Sequence, residues 1–385
     1  MPLNYGRQVQ VIPGITGVSA GGTAQVQINP NRRVSRMSFI ATGIAFVAPV
    51  LTLAGATTQP VFAVTVTAGV ITKVAVTTAT TAGVADGTYK AVVTDNITLA
   101  DGSTFNLNNQ FQANVQITVA GNAVTAVSIV SGGSVAEVPA EIFFNGQLLL
   151  SVGGVNMQDL TAAQVKAAAL ADSASSYNGW RTGELTFDFV KPSAEFTAQP
   201  DLTIWDLWGQ SILQLQLPIT SNITSPALIG VYEFDADISL RNMATVNGVS
   251  TPVLQPIAKH AQTFQIPGGG ALQSITTVPF LLNPTTPLPI LRLYMSESNP
   301  GNITQIEIDQ DGNKILQLTK AQIQEIYSKY GFNVNIFGAM FAADYNRRIS
   351  NALRCAQNLV IYIASTVTQN VTIIRETLPG AYSGG

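Results

Sequence analysis

Charge is scarce in this sequence. Only 11% of its 385 residues are Asp, Glu, Lys or Arg, against 46% hydrophobic ones. The surface of a free monomer is normally about a quarter to a third charged, so neighbours are expected to cover much of this one. A net charge of −3 and a pI near 5.2 give no basis for strong nucleic-acid binding. The single cysteine, Cys355, excludes an intrachain disulfide framework and any cysteine-based zinc site. The single histidine, His260, is the only residue on which a His-dependent triad could be built, and it lies in a Pro-rich stretch. A G-x-S-x-G elbow, an H-E-x-x-H helix and a Walker loop are all missing. The run Gly268-Gly269-Gly270 has no lysine after it and reads as a flexible joint. The N-terminal MPLNYGRQVQ lacks the apolar core of a secretory signal. The most apolar run, Ile44 to Ala56, is too short for a membrane span and contains Pro49. A soluble chain is expected, with no catalytic, cofactor-binding or metal-ligating residue and no cofactor.

What the sequence does have is Val, Thr, Ile, Gly and Asn, the composition of a β-rich chain full of turns. It also repeats itself. Ile306 to Tyr327 reads as a strand, a tight turn at Asp311-Gly312, a second strand and a helix opening at Thr319. Thr319 with Gln322 forms a capping box, in which hydroxyl and amide satisfy the first orphan N–H groups of the helix. Between Ile142 and Leu170 the same order returns: a turn at Asn145-Gly146, a strand from Leu148 to Val152, and a capping box at Thr161 and Gln164. LTAAQV at 160–165 matches LTKAQI at 318–323, while Gly153-Gly154 to Asp159 reads as extra residues of the first copy. Hairpin, cap and helix in one order imply an internal duplication.

The self-alignment extends upstream. The strand near Met37 to Ala41 corresponds to Pro289 to Ser296, with Arg292 in place of Arg36. The following loop is short in the second half, Glu297 to Ile303, and longer by roughly ninety residues in the first. That excess, Val47 to Val138, is rich in Thr, Val, Ala and Gly and has its own repeat, Val64 to Val74 resembling Val115 to Thr125. Each copy reads as two strands joined at a glycine turn, and Gly87 to Val93 and Ser103 to Leu107 are further strands. A small all-β module is expected there, since structureless loops of such length are rare.

Further strands are expected at Glu184 to Pro192, Leu202 to Leu217 (around Trp205 and Trp208), Gly230 to Leu240, Phe337 to Phe341, Asn358 to Ser365 and Asn370 to Glu376. Each half then has about eight strands and one conspicuous helix. Eight antiparallel strands in two Greek keys make a jelly roll. The fold class expected is all-β, two tandem eight-stranded jelly rolls with short helices. Residues 1–46 and 139–245 form the first, 47–138 an inserted β module, 246–271 a linker, and 272–385 the second.

Few residues invite a chemical reading. Asp309 to Asn313 imitates the opening of a calcium loop, but Lys314 stands where glycine is required and Lys320 where the bidentate glutamate belongs. A hairpin turn is the simpler reading. Glu233, Asp235 and Asp237 share one strand face, and Glu184 and Asp188 another. Such carboxylates serve as a glycosidase pair, as hard-cation ligands, or as the polar side of a half-buried strand. We take the last, because the few aromatics read as core and not as a sugar-stacking cleft. Arg32, Arg33 and Arg36, with Arg347, Arg348 and Arg354, are the basic clusters, read as solvated loops or contacts to phosphate groups.

Ile12-Pro13 followed by Ala20-Gly21-Gly22 and a strand to Ile28, AEIFFNGQLLL at 140–150, ELTFDFVKP at 184–192 and Gly230 to Ile238 together resemble a known family. They are similar to the double jelly-roll major capsid proteins of tailless icosahedral bacteriophages with an internal membrane, of the corticovirus type and more distantly the tectivirus type. The resemblance implies a structural protein, not an enzyme, that forms pseudo-hexameric homotrimers tiling a virion shell over an internal membrane. It implies contact with penton and membrane proteins of the virion and assembly in a host cytoplasm. The inserted module is then a tower on the outer surface, suited to host contact. The competing reading is a secreted β-sandwich adhesin or carbohydrate-binding protein, with a jelly-roll glycosidase third.

Overall fold

The structure is a computed structural model. It describes residues 7–29, 31–45, 50–67, 70–94, 96–98, 104–106, 113–133, 138–172, 183–189, 205–207, 212–221, 223–235, 243–246, 249–252, 258–275, 290–299, 301–310, 312–328, 337–340 and 359–377.

Period-2 alternation sets the strands. In Thr23–Ile28 the residues Ala24, Val26 and Ile28 are buried between exposed Thr23, Gln25 and Gln27. In Leu213–Pro218 the leucines turn inward and the glutamines outward. One sheet of the first half runs Arg7–Val11, Ile223–Asp235, Arg33–Ala45, Glu184–Asp188, with Trp205–Asp206 also beside Arg33–Ala45. The facing sheet runs Thr23–Ile28, Leu213–Pro218, Gln147–Val152, Val155–Thr161. With the module set aside, the chain order is 1-8-3-6 against 2-7-4-5. The second half repeats that order. Ala258–Ile266, Gln369–Thr377, Ile290–Glu297 and Phe337–Met340 face Leu272–Ile275, Leu359–Ser365, Ile303–Gln310 and Asn313–Thr319. This is two jelly rolls in tandem.

Each sandwich has its own core. Val26, Phe39, Leu150, Phe187 and Leu215 are among the buried residues of the first. Ile306, Ile308, Ile361, Ile363, Val371 and Ile373 fill the second. Each such side chain contributes about 1.5–3 kcal/mol on burial. Trp205 stacks on Phe189 with ring centres 4.1 Å apart. The halves share one eight-stranded sheet, in which Val155–Thr161 runs parallel to Ala258–Ile266 through the pair Gln158–Lys259.

The repeated unit sits at the same place in both sandwiches. The fourth and fifth strands form a hairpin, and a helix follows at Ala162–Asp172 and at Lys320–Ser328. Both caps close in the same way. The Thr161 N–H donates to Gln164 Oε1 at 2.9 Å and the Gln164 N–H to Thr161 Oγ1 at 3.3 Å. The Thr319 and Gln322 pair gives the same two distances.

Two expectations need correction. The turn equivalent to Asp311-Gly312 is Gly153-Gly154, not Asn145-Gly146. Both glycines have positive φ, +56° and +83°, as a two-residue hairpin turn demands. Asn145-Gly146 instead follows the helical turn Ala140–Phe143, so the residues from Gly153 to Asp159 are no insertion but the hairpin itself. The stretch 246–271, read as linker, contains the nine-residue strand Ala258–Ile266. Prolines flank it and few of its residues are large and apolar, so its pattern is weak. Its ladder with Gln369–Thr377 holds it in place instead.

The inserted stretch is β-structured. Val61–Thr67 pairs with Val70–Thr78, and Asn114–Ala120 with Ala123–Ser131 around Gly121-Asn122, both at positive φ. Leu51, Leu53, Ile71, Val115, Ile117 and Val119 are buried in a cluster continuous with the first core. Its two stems converge on Gly183: the Ala41 N–H donates to the Gly183 carbonyl at 2.9 Å. A Cβ on that glycine would meet the carbonyl oxygens of Ala41 and Val138 at 2.2 and 3.5 Å.

Candidate functional site

One ionic unit is built twice. The third strand of each sandwich carries an arginine just after a bulge. Arg36 lies opposite Glu233 with Ser35 skipped, and Arg292 lies opposite Glu376 with Leu291 skipped. In the second sandwich this unit lies at the seam between the halves. Arg292 Nε is 3.5 Å and Lys259 Nζ 3.3 Å from the Glu376 carboxylate. The Tyr294 hydroxyl donates to Glu376 Oε1 at 2.9 Å, and the Arg292 guanidinium stacks 4.4 Å over the Tyr294 ring. From across the seam, Asp159 Oδ1 comes within 3.1 Å of His260 Nδ1. Burial lowers the pKa of neighbouring Arg375, against the opposing pull of Asp159. The helix Ala162–Asp172 packs on the strand Ile290–Glu297, and its Lys166 is buried and pairs with Glu141 at 2.9 Å.

The counterpart in the first sandwich lies on the outer face of its first sheet. Arg36 Nε donates to Asp188, and Arg36 Nη1 is 3.6 Å from Glu233. Arg33 Nη1 is 3.1 Å from Asp235. The Thr186 hydroxyl donates to Glu184 at 3.0 Å. Burial works to lower the Arg36 pKa, but Asp188, Glu233 and Glu184 outweigh it and the net direction is upward. Of the carboxylates singled out from the sequence, Glu184, Asp188, Glu233 and Asp235 are thus brought together around arginine. An acid and a nucleophile facing each other across a sugar cleft is a different geometry. Exposed Val9, Val11 and Ile229 border the charges. A face of paired charges, two arginines among four carboxylates, with an apolar margin is suited to contact with another protein surface.

The remaining candidates are accounted for as follows. Asp309 to Asn313 is a hairpin, with Gln310 opposite Asn313, Asp309 opposite Lys314, and Gly312 at φ +79°. Lys314 pairs with Glu307 at 2.6 Å. Arg32 stacks 4.7 Å over Phe234. His260 lies in a strand at the seam, not in a linker. Trp208, Asp237, Arg347, Arg348 and Arg354 lie outside the described residues. Among the described residues no group of three His, Cys, Asp or Glu could hold a metal ion, and no helix is long and apolar enough to cross a membrane. Sequence reasoning missed Glu376 and Lys259. The signal available was the equivalence of Arg36 and Arg292, which predicts a carboxylate on the last strand of each half.

Comparison with known proteins agrees with this architecture. Residues 262–380 match the family model of the viral coat protein P2 C-terminal domain. No curated protein is similar to the chain in sequence. Among solved structures, the chain is similar to the major capsid protein P2 from bacteriophage PM2, at 12% identity over 98% of each chain and a TM-score of 0.57. The STIV MCP is 11% identical over 97% of each chain with a TM-score of 0.46. The Faustovirus major capsid protein is 9% identical over 97% of this chain and 90% of its own, with a TM-score of 0.49.

Proposed function

We infer that this chain is a major capsid protein of the double jelly-roll kind, a structural component of a virion shell. The observation that carries the reading is the strand order, 1-8-3-6 against 2-7-4-5, repeated in two tandem sandwiches. The coat-protein match over residues 262–380 supports it, as does the fold shared with the bacteriophage PM2 protein. Self-assembly into a shell lattice follows from that role, and low surface charge suits it.

The finer reading is a pseudo-hexameric homotrimer, six similar sandwiches from three chains, standing over an internal membrane. Trimers present near-sixfold contacts to one another, which is what tiling a closed shell needs. The membrane beneath, and contacts to penton and membrane proteins, rest on the sequence resemblance alone. The role is structural and not catalytic: the acidic residues on the first sheet are engaged by arginines and hydroxyls. We divide the chain into a first jelly roll of residues 1–46 and 139–245, a module of residues 47–138, and a second jelly roll beginning with Ala258–Ile266. The module is placed on the outer surface, where a folded insertion has room, and host contact is assigned to it.

Light scattering on the purified chain, with a glycan-binding assay beside it, tests this reading. A mass three times that of the 40.6 kDa chain and no glycan binding are expected. A monomer that binds glycans would establish the adhesin reading instead.

A further inference from the structure

Equivalent positions in the two sandwiches differ in exposure as a missing neighbour would make them differ. Arg292 is 2% exposed and Arg36 40%; Glu376 is 0% and Glu233 25%. In the second sandwich this face lies under the first, through the helix Ala162–Asp172 and the strand Val155–Thr161. In the first sandwich no described element takes their place. The fifth strands differ in the same direction. Met157 and Gln158 are buried, while their counterparts Ile315 and Leu316 are 41% exposed and half-buried. Asn313–Thr319 and Arg7–Val11 are both terminal strands of their sheets, and Val9 and Val11 are 63% and 62% exposed. Two edge strands exposing Val9, Val11 and Ile315 in one chain are an aggregation hazard unless something covers them.

We propose that the strand Asn313–Thr319 of one copy lies parallel to Arg7–Val11 of the next, reproducing between copies the Val155–Thr161 and Ala258–Ile266 junction. The occupant of each edge is a second copy of this chain. The register follows from the duplication. The capping boxes equate Thr161 with Thr319, so Gln158 corresponds to Leu316 and Asp159 to Gln317. The cross-strand partners of Glu376 and Glu233 equate Lys259 with Val9, and therefore His260 with Gln10. The internal pair Gln158–Lys259 becomes Leu316 against Val9, two apolar side chains. The Asp159–His260 pair becomes Gln317 against Gln10, two amides able to donate and accept. The contact is therefore chemically matched at both positions without any charge. It is a head-to-tail contact, which closes into a ring when its rotation allows. With three copies, six sandwiches meet through six similar seams.

This inference rests on the trimer reading, and the test separates the two. In a Cys355→Ser background, one chain carries Val9→Cys and a second, differently tagged chain carries Leu316→Cys. Residues opposed on neighbouring strands fall within disulfide reach. Under oxidising conditions the mixture is expected to give a mixed-tag covalent dimer, and neither variant alone is expected to cross-link. A chain bearing both substitutions should give covalent species up to the trimer. Hydrogen exchange on the unsubstituted protein provides a second readout that does not depend on variant folding. The amides of residues 7–11 and 313–319 that face away from their own ladders, with Ile223–Asp235 and Ile303–Gln310, should be protected in the assembled protein. Trimers by light scattering without the mixed dimer, and with fast exchange of those outward-facing amides, would overturn the edge contact and leave the trimer standing. A monomer would refute the trimer reading and this inference with it.

Discussion

At the scale of single residues, the duplication sets up a controlled comparison between two copies of one ion pair. Arg292 and Glu376 are shut away from water, whereas Arg36 and Glu233 lie partly open to it. Removing one partner of a buried pair leaves an uncompensated charge, at a cost of about 3–5 kcal/mol. An exposed pair is worth at most about 1 kcal/mol. In the unassembled chain, Glu376→Gln should therefore lower the chemical-denaturation stability by about 3–5 kcal/mol and Glu233→Gln by about 1 kcal/mol or less. Equal losses for the two variants in the unassembled chain would contradict the assignment of the seam as buried. From the sequence, Arg36 and Arg292 could be equated, because both sit on a third strand ahead of an alternating run. Their carboxylate partners were harder to find. Glu233 and Glu376 lie on the last strand of each half, far along the chain, and only the strand order brings them beside the third.

At the scale of elements, local chemistry was legible wherever it was strong. The capping boxes at Thr161 and Thr319 and the two helices after them lie where threonine and glutamine three residues apart put them. The turn of the first hairpin was misplaced because Asn145-Gly146 and Gly153-Gly154 are both good turn pairs, and sequence does not rank them. The strand Ala258–Ile266 was hidden because long-range pairing with Gln369–Thr377, and not its own alternation, sets its conformation. The two hairpins at Val61–Thr78 and Asn114–Ser131 were legible through their repeat, and Ala41 and Val138, which flank this stretch, both approach Gly183. Insertions are tolerated where the host ends lie close together. Replacing Val47 to Val138 with a short Gly-Ser linker should therefore leave the trimer intact by light scattering, while limited proteolysis of intact particles should cut first in or beside the module. Loss of the trimer on deletion, or full protection of the module in intact particles, would contradict its placement as an outer tower.

At the scale of the whole molecule, the two sandwiches are one architecture used twice, joined through a shared sheet. Low charge, two edge strands with exposed Val9, Val11 and Ile315, and a partly open face of paired charges are the features that the proposed contact between copies would cover. The fold class and the duplication could be read from the sequence, because hydrophobic alternation and turn chemistry are local. The seam could not, because it depends on how the two halves meet. A three-dimensional reconstruction of the purified assembly by electron cryomicroscopy tests the central claim most directly. The account predicts three chains forming a ring of six similar sandwiches, with Asn313–Thr319 of each chain beside Arg7–Val11 of the next. A monomer, or an assembly in which the two sandwiches of a chain occupy unlike positions, would contradict it.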